Sequence, residues 1–140
     1  MRYLPLLFLA FLTSCAASVP DRSYVALTPA ADPKTITEFI LDRLVAEYPS
    51  SSEQSIYFKP SANRNFNEAL ESAAREAGFQ VAATPSPEAV TVRYVIDSVQ
   101  GTNASYISLK TDKGLIISRT FDSNTYALNT TFLRQDTQNE

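Results

Sequence analysis

Val90-Thr91-Val92-Arg93-Tyr94-Val95-Ile96-Asp97 places Val90, Val92, Tyr94 and Ile96 at alternate positions, with Thr91, Arg93, Val95 and Asp97 between them. A period of two over eight residues marks a half-buried β-strand, one side apolar and the other mostly polar. Val99-Gln100-Gly101-Thr102-Asn103 then supplies a turn, and Tyr106 to Lys110 reads as a second strand. Thr111-Asp112-Lys113-Gly114 makes a second turn before a third strand, Leu115 to Phe121. Turn signals at this spacing predict an antiparallel meander. Asn124 to Leu133 is a candidate for one more strand, and the all-polar Arg134–Glu140 predicts a frayed tail.

Upstream of this stretch the period is helical. Asp32 suits an N-cap and Pro33 the first helical position. Ile36, Phe39, Ile40, Leu44 and Tyr48 fall on one stripe, widened by Leu41 and Val45, and Pro49 ends the helix. A short strand follows at Ser55 to Lys59, with Ile56 and Phe58 on one face and Tyr57 on the other. Asn65 with Glu68 resembles a capping box for a second helix carrying Phe66, Leu70, Ala73 and Ala77, closed by Gly78. Phe79 to Ala82 is a strand, and Thr84-Pro85-Ser86-Pro87 a rigid break. The order predicts an α+β fold: two helices packed on one face of a mostly antiparallel sheet of four to five strands, a two-layer sandwich.

The N-terminus has a different character. Met1-Arg2-Tyr3 carries one positive charge, and Leu4 to Leu12 holds eight apolar residues and one proline. Leu12-Thr13-Ser14-Cys15 then resembles a lipobox, and Cys15 is the only cysteine. A charged start, a short apolar run and a small-residue site describe a secretory signal. The run is shorter than the roughly 20 residues that span a bilayer. The domain reading is therefore 1–14 lipoprotein signal peptide, 15–31 lipidated N-terminus and tether, 32–133 a single α+β periplasmic domain, and 134–140 polar tail. Two rival readings of Cys15 stand beside lipidation: a buried small hydrophobe, and ordinary signal cleavage nearby that leaves no lipid. Ala16, rather than Asp, follows the cysteine and resembles the outer-membrane sorting pattern. Within the tether, Tyr24, Val25 and Leu27 have three readings. They form the first edge strand of the domain, a strand added to a partner's sheet, or plain linker.

Composition excludes much chemistry. The chain has no histidine, hence neither the commonest general base nor the commonest metal ligand. Three glycines leave no phosphate-cradling loop. Glu38 with Asp42, and Glu68 with Glu71, read as solvated helix faces rather than catalytic pairs. No catalytic residue, metal ligand or cofactor is expected beyond a covalent lipid on Cys15. Residues 1–14 contain one basic residue and no acidic one, so the chain from Cys15 onward carries 11 basic and 15 acidic residues, a net charge of −4. Direct nucleic-acid binding is not expected of such a chain. Arg93, Asp97 and Arg119 are candidate partner-binding residues, together with Tyr94, whose parity with Val92 and Ile96 also fits the core. Arg93 and Asp97 share the opposite face, as an exposed or mutually neutralising pair or as an interface.

These features converge on a family resemblance. The lipoprotein signal, the helix ending in Glu47-Tyr48-Pro49, Phe66-x-x-x-Leu70 leading into Ala77-Gly78-Phe79, Val92-Arg93-Tyr94-Val95-Ile96-Asp97, and a Tyr106 strand followed by Ile117-Ser118-Arg119 resemble the TrbH lipoproteins of conjugative transfer systems. The likeness covers roughly residues 32–121 plus the signal. Thr120 stands before Phe121 where the family continues with an aromatic. The resemblance implies a structural part of a type IV secretion, mating-pair-formation machine. Such a part is lipid-anchored in the outer membrane, faces the periplasm, is present in many copies and ties ring proteins to the membrane. An assembly or pilot lipoprotein of another envelope secretion machine is the alternative.

Overall fold

The structure, a computed structural model, describes residues 21–28, 31–49, 51–122 and 133–136. Its elements are β1 (Tyr24–Val25), α1 (Pro33–Glu47), β2 (Ser55–Phe58), α2 (Arg64–Glu76), β3 (Gln80–Val81), β4 (Val90–Ser98), β5 (Ala104–Thr111), β6 (Leu115–Asp122) and β7 (Leu133–Asp136). They form one sheet in the order β3-β2-β4-β5-β6-β7, with β1 also paired to β4. The expected two-layer α+β architecture is present, and its sheet has more strands than the four to five expected.

The long ladders are antiparallel, as the meander required. β4 and β5 share seven paired positions, β5 and β6 another seven, and β6 and β7 four. The short ladders β1–β4, β2–β3 and β2–β4 are parallel. Helix α2 is the crossover between the parallel neighbours β2 and β3, which a hairpin could not join, and α1 joins β1 to β2, both of which pair with β4. β4 serves two strands along one edge. β2 takes Val90–Val92 and β1 takes Val95–Ile96. Between them the Tyr94 amide donates to Ser23 Oγ at 3.0 Å, so the buried N–H is not orphaned.

Two expected boundaries change. Ser23 is buried, Tyr24–Val25 pairs with the domain's own sheet, and Val25 and Leu27 pack on the core. The domain therefore begins before residue 32 and takes in part of the expected tether. At the other end Leu133–Asp136 pairs with β6, so the expected polar tail from Arg134 is strand for three residues. Ladder bonds are made by the backbone, so a polar sequence can occupy an edge. The strand expected at Asn124–Leu133 lies outside the described residues except for Leu133.

Helix α1 starts where its cap demands. Asp32 is the N-cap; its carboxylate accepts the amides of Lys34 and Thr35, each at 3.2 Å, and the Thr35 hydroxyl at 2.8 Å. These donors, the Thr35 hydroxyl first, hold the Asp32 carboxyl below its ordinary pKa. A depressed folded-state pKa gives a stabilisation that is present above the unfolded-state value and lost as pH falls through the folded one. Acid unfolding of Asp32→Asn should accordingly show a shallower loss of stability below about pH 4 than the parent. Parallel acid limbs for the two proteins would contradict the cap.

Helix α2 is capped two residues before the expected Asn65. Asn63 is its N-cap, with Oδ1 accepting the Phe66 amide at 3.0 Å. Asn63 is held there by Ser61, whose hydroxyl accepts the Asn63 amide. The helix ends on Gly78 at φ 96°. The Phe79 amide reaches the Ala74 carbonyl and the Gly78 amide the Arg75 carbonyl, both at 3.0 Å. This is a Schellman turn, and its left-handed residue favours glycine.

One core joins both layers. Ile36, Ile40 and Leu44 of α1 and Phe66, Leu70 and Ala74 of α2 meet Ile56, Val92, Tyr94, Ile96, Ile107, Leu109 and Ile117 of the sheet. Each fully buried large aliphatic or aromatic side chain contributes about 1.5–3 kcal/mol relative to exposure. The helices thus seal one face of the sheet and leave the other open.

Candidate docking face

The open face follows from strand parity. Because Val92, Tyr94 and Ile96 point to the helices, Thr91, Arg93, Val95 and Asp97 point away from them. Register carries this set across the sheet, since Arg93 is opposite Lys110, Val95 opposite Ser108 and Asp97 opposite Tyr106. Tyr24 is opposite Val95 and Tyr57 opposite Thr91. Tyr24 is 52 % exposed and Tyr106 37 %. Tyrosine and arginine are enriched at protein interfaces, where they combine apolar area with polar reach.

The face has two ends. At one, the Tyr106 hydroxyl donates to Ser118 Oγ and Ser118 Oγ to Ser108 Oγ, each at 3.2 Å. At the other lies an open depression of about 820 Å³, whose lining includes Tyr57, Pro60, Pro85, Thr91, Arg93 and Lys110. The Lys59 amide donates to the Val92 carbonyl at 2.9 Å, which continues the β2–β4 register by one residue. Lys59, Arg93 and Lys110 therefore form a row across three neighbouring strands. Asp21 pairs with Lys59. Lys59, by hydrogen bond and by charge, holds the Asp21 carboxyl below its ordinary pKa, and Arg93 adds to the effect. The other carboxylate at the depression, Asp112, accepts the Thr91 amide at 2.9 Å.

The structure distributes the candidate residues among three places. Tyr24, Arg93 and Asp97 share the open face. Arg93 and Asp97 form no ion pair among the described residues; the Asp97 carboxylate instead accepts the Ser98 amide at 2.8 Å. Val25 and Leu27 pack on the core. Arg119 has the parity of Leu115 and Ile117 and lies on the helix side, its guanidinium 5.7 Å from the Phe39 ring centroid, with Arg43 5.8 Å from the same ring. Arg119 is thus separated from Arg93 by the thickness of the sheet. Tyr94 is completely buried. Cys15 lies outside the described residues. Sequence reasoning passed over Lys59, Lys110, Tyr57 and Asp21, whose association depends on the pairing of strands distant in sequence.

No group of three or more His, Cys, Asp or Glu side chains suited to a metal occurs among the described residues. No described helix is long and apolar enough to cross a membrane. The fold and the face define a small α+β domain closed on one side by helices and open on the other. The chain belongs to the TrbH family, described as conjugal transfer protein TrbH, whose model matches residues 18–133. That match places it with the conjugal transfer apparatus and spans β1 as well as the helices and the meander. No curated protein and no solved structure matches the chain.

Proposed function

We propose that this chain is an outer-membrane-anchored structural lipoprotein of a conjugative type IV secretion complex, docking periplasmic ring subunits through the open face of its sheet. The observation that carries the reading is that face: tyrosines and an arginine stand outward on a sheet whose other side is sealed, in a conjugal transfer protein. Cys15, behind Leu12-Thr13-Ser14, supplies the site for the lipid. The domain works as a fixed, many-copy contact surface rather than as an enzyme, and needs no cofactor.

Covalent geometry limits how far the domain can stand from the membrane. Six peptide units separate Cys15 from Asp21, which even fully extended reach about 20 Å. A lipid on Cys15 would hold the open face within that distance of the headgroups plus the width of the domain. The test is the mass of the N-terminal peptide of protein extracted from membranes. The expected peptide begins at Cys15 and carries acyl chains; an unmodified peptide, or one beginning elsewhere, contradicts the anchor.

A further inference from the structure

We propose that the depression over Lys59, Arg93 and Lys110 receives an extended, acidic segment of a protein partner. This deepens the docking reading and rests on it. Three cations stand side by side on adjacent strands, and neighbouring strands are only about 4.8 Å apart. Like charges directly opposite one another destabilise a sheet, and Arg93 faces Lys110 in register. Asp21 is the only carboxylate ion-paired to the row among the described residues, and it engages Lys59. Arg93 is half-buried; its Nε is out of solvent contact and has no hydrogen-bond partner among the described residues. A guanidinium donates to a carboxylate through a planar fork of N–H groups that a lysine cannot supply.

The charge is local. From Cys15 onward the chain has a net charge of −4, so the row is a positive site on a negative protein. Charge complementarity favours an acidic segment at this row over the acidic parts of the surface, which gives the site selectivity. The size argues for a chain segment. About 820 Å³ falls in the range of about 300–1,000 Å³ typical of ligand clefts, and exceeds what one anionic group fills. Its lining also suits a peptide: Tyr57, Pro60 and Pro85 offer apolar contact beside the cations. A bilayer presents its phosphates in a plane. A half-buried arginine within a depression is less open to such a plane than to a chain segment.

The test places the photo-reactive residue p-benzoylphenylalanine at Tyr57 of the full chain, in cells that express the whole transfer apparatus. Adducts are identified by mass spectrometry. The expected adduct is a segment of an apparatus protein with at least two carboxylates and a net negative charge. Its yield should fall on the order of tenfold when Arg93→Glu is added, and stay unchanged with Lys113→Glu in the neighbouring turn. A control at Tyr24 reports whether the Arg93→Glu protein still folds and assembles. An adduct with lipid, or with a neutral or basic segment, overturns the proposal. So does the absence of any Tyr57 adduct while ring proteins still co-purify, which leaves docking itself standing. Loss of both adduct and co-purification overturns the docking reading as well.

Discussion

Tyr94→Ala is expected to destabilise the domain by about 3–5 kcal/mol, in the range of large aromatic truncations in cores. Tyr94 is fully buried at the centre of β4, the strand that pairs with β1, β2 and β5. Its ring meets Phe66 at a centroid distance of 5.7 Å, tying sheet to α2. Its hydroxyl donates to Asn67 Oδ1 at 2.7 Å. The same oxygen accepts the Ser61 amide at 3.1 Å and the Ser61 hydroxyl at 2.6 Å. Removing the ring leaves a cavity at the junction of both layers. Domains of this size are stable by about 5–15 kcal/mol, so the loss is a large share of the total.

Tyr94→Phe separates packing from hydrogen bonding. It keeps the ring, and Asn67 Oδ1 keeps both Ser61 donors, so the cost should stay near 1 kcal/mol. Burial raises the Tyr94 pKa, chiefly by desolvation, with the Ser61 hydrogen bonds working the other way. The sign is that of a neutral group protected by folding: its stabilisation is complete below the unfolded-state pKa and declines as pH rises toward the folded one. The parent should therefore lose stability above about pH 10 more steeply than Tyr94→Phe. Urea unfolding with a constant m-value measures all three quantities. A Tyr94→Ala cost below about 1 kcal/mol would contradict a core centred on this residue.

Cys15→Ser should move the protein from the membrane fraction to the soluble fraction. Each buried methylene of an acyl chain contributes about 0.8 kcal/mol, and stable anchoring takes more than one chain. No described helix replaces that anchor. The apolar run Leu4 to Leu12 is too short to span, yet an uncleaved precursor could adhere through it. The fractionation is therefore read on protein whose mass shows residues 1–14 removed. Processed Cys15→Ser protein retained at the parent's level would contradict lipid anchoring. Loss of membrane retention with unchanged thermal unfolding would show that the anchor and the fold are independent.

The parts of the fold legible in the sequence are those fixed locally. Asp32, Pro33 and Pro49 bracket α1, and the alternation from Val90 onward gives the meander and its inward face. The parallel pairings of β1, β2 and β3 were not legible. β1 and β3 are two residues each, too short for periodicity, and the neighbours they choose depend on where the helices return the chain. Asn63 and Asn65 are both good caps, and the Asn63 amide's bond to Ser61 Oγ favours the first, a choice that the spacing of Asn65 and Glu68 does not reveal. The β7 pairing of a polar segment is a backbone matter invisible to side-chain pattern.

The candidate site divides the same way. Arg93 and Asp97 were readable as outward from parity alone. So was Arg119 as inward, since it continues Leu115 and Ile117; grouping it with Arg93 overlooked that parity. The cationic row was not readable. It requires knowing that residue 59 lies beside 93 and 93 beside 110, which is a statement about register between strands, not about any one of them.

The central claim is that this conjugal transfer protein is a structural docking component. It is tested most directly by purifying the C-terminally tagged full chain from detergent-solubilised envelopes of cells that express the complete apparatus. Mass spectrometry then identifies what is bound. Stoichiometric recovery of transfer-channel ring proteins is the expected result. Recovery of the tagged chain alone would contradict it.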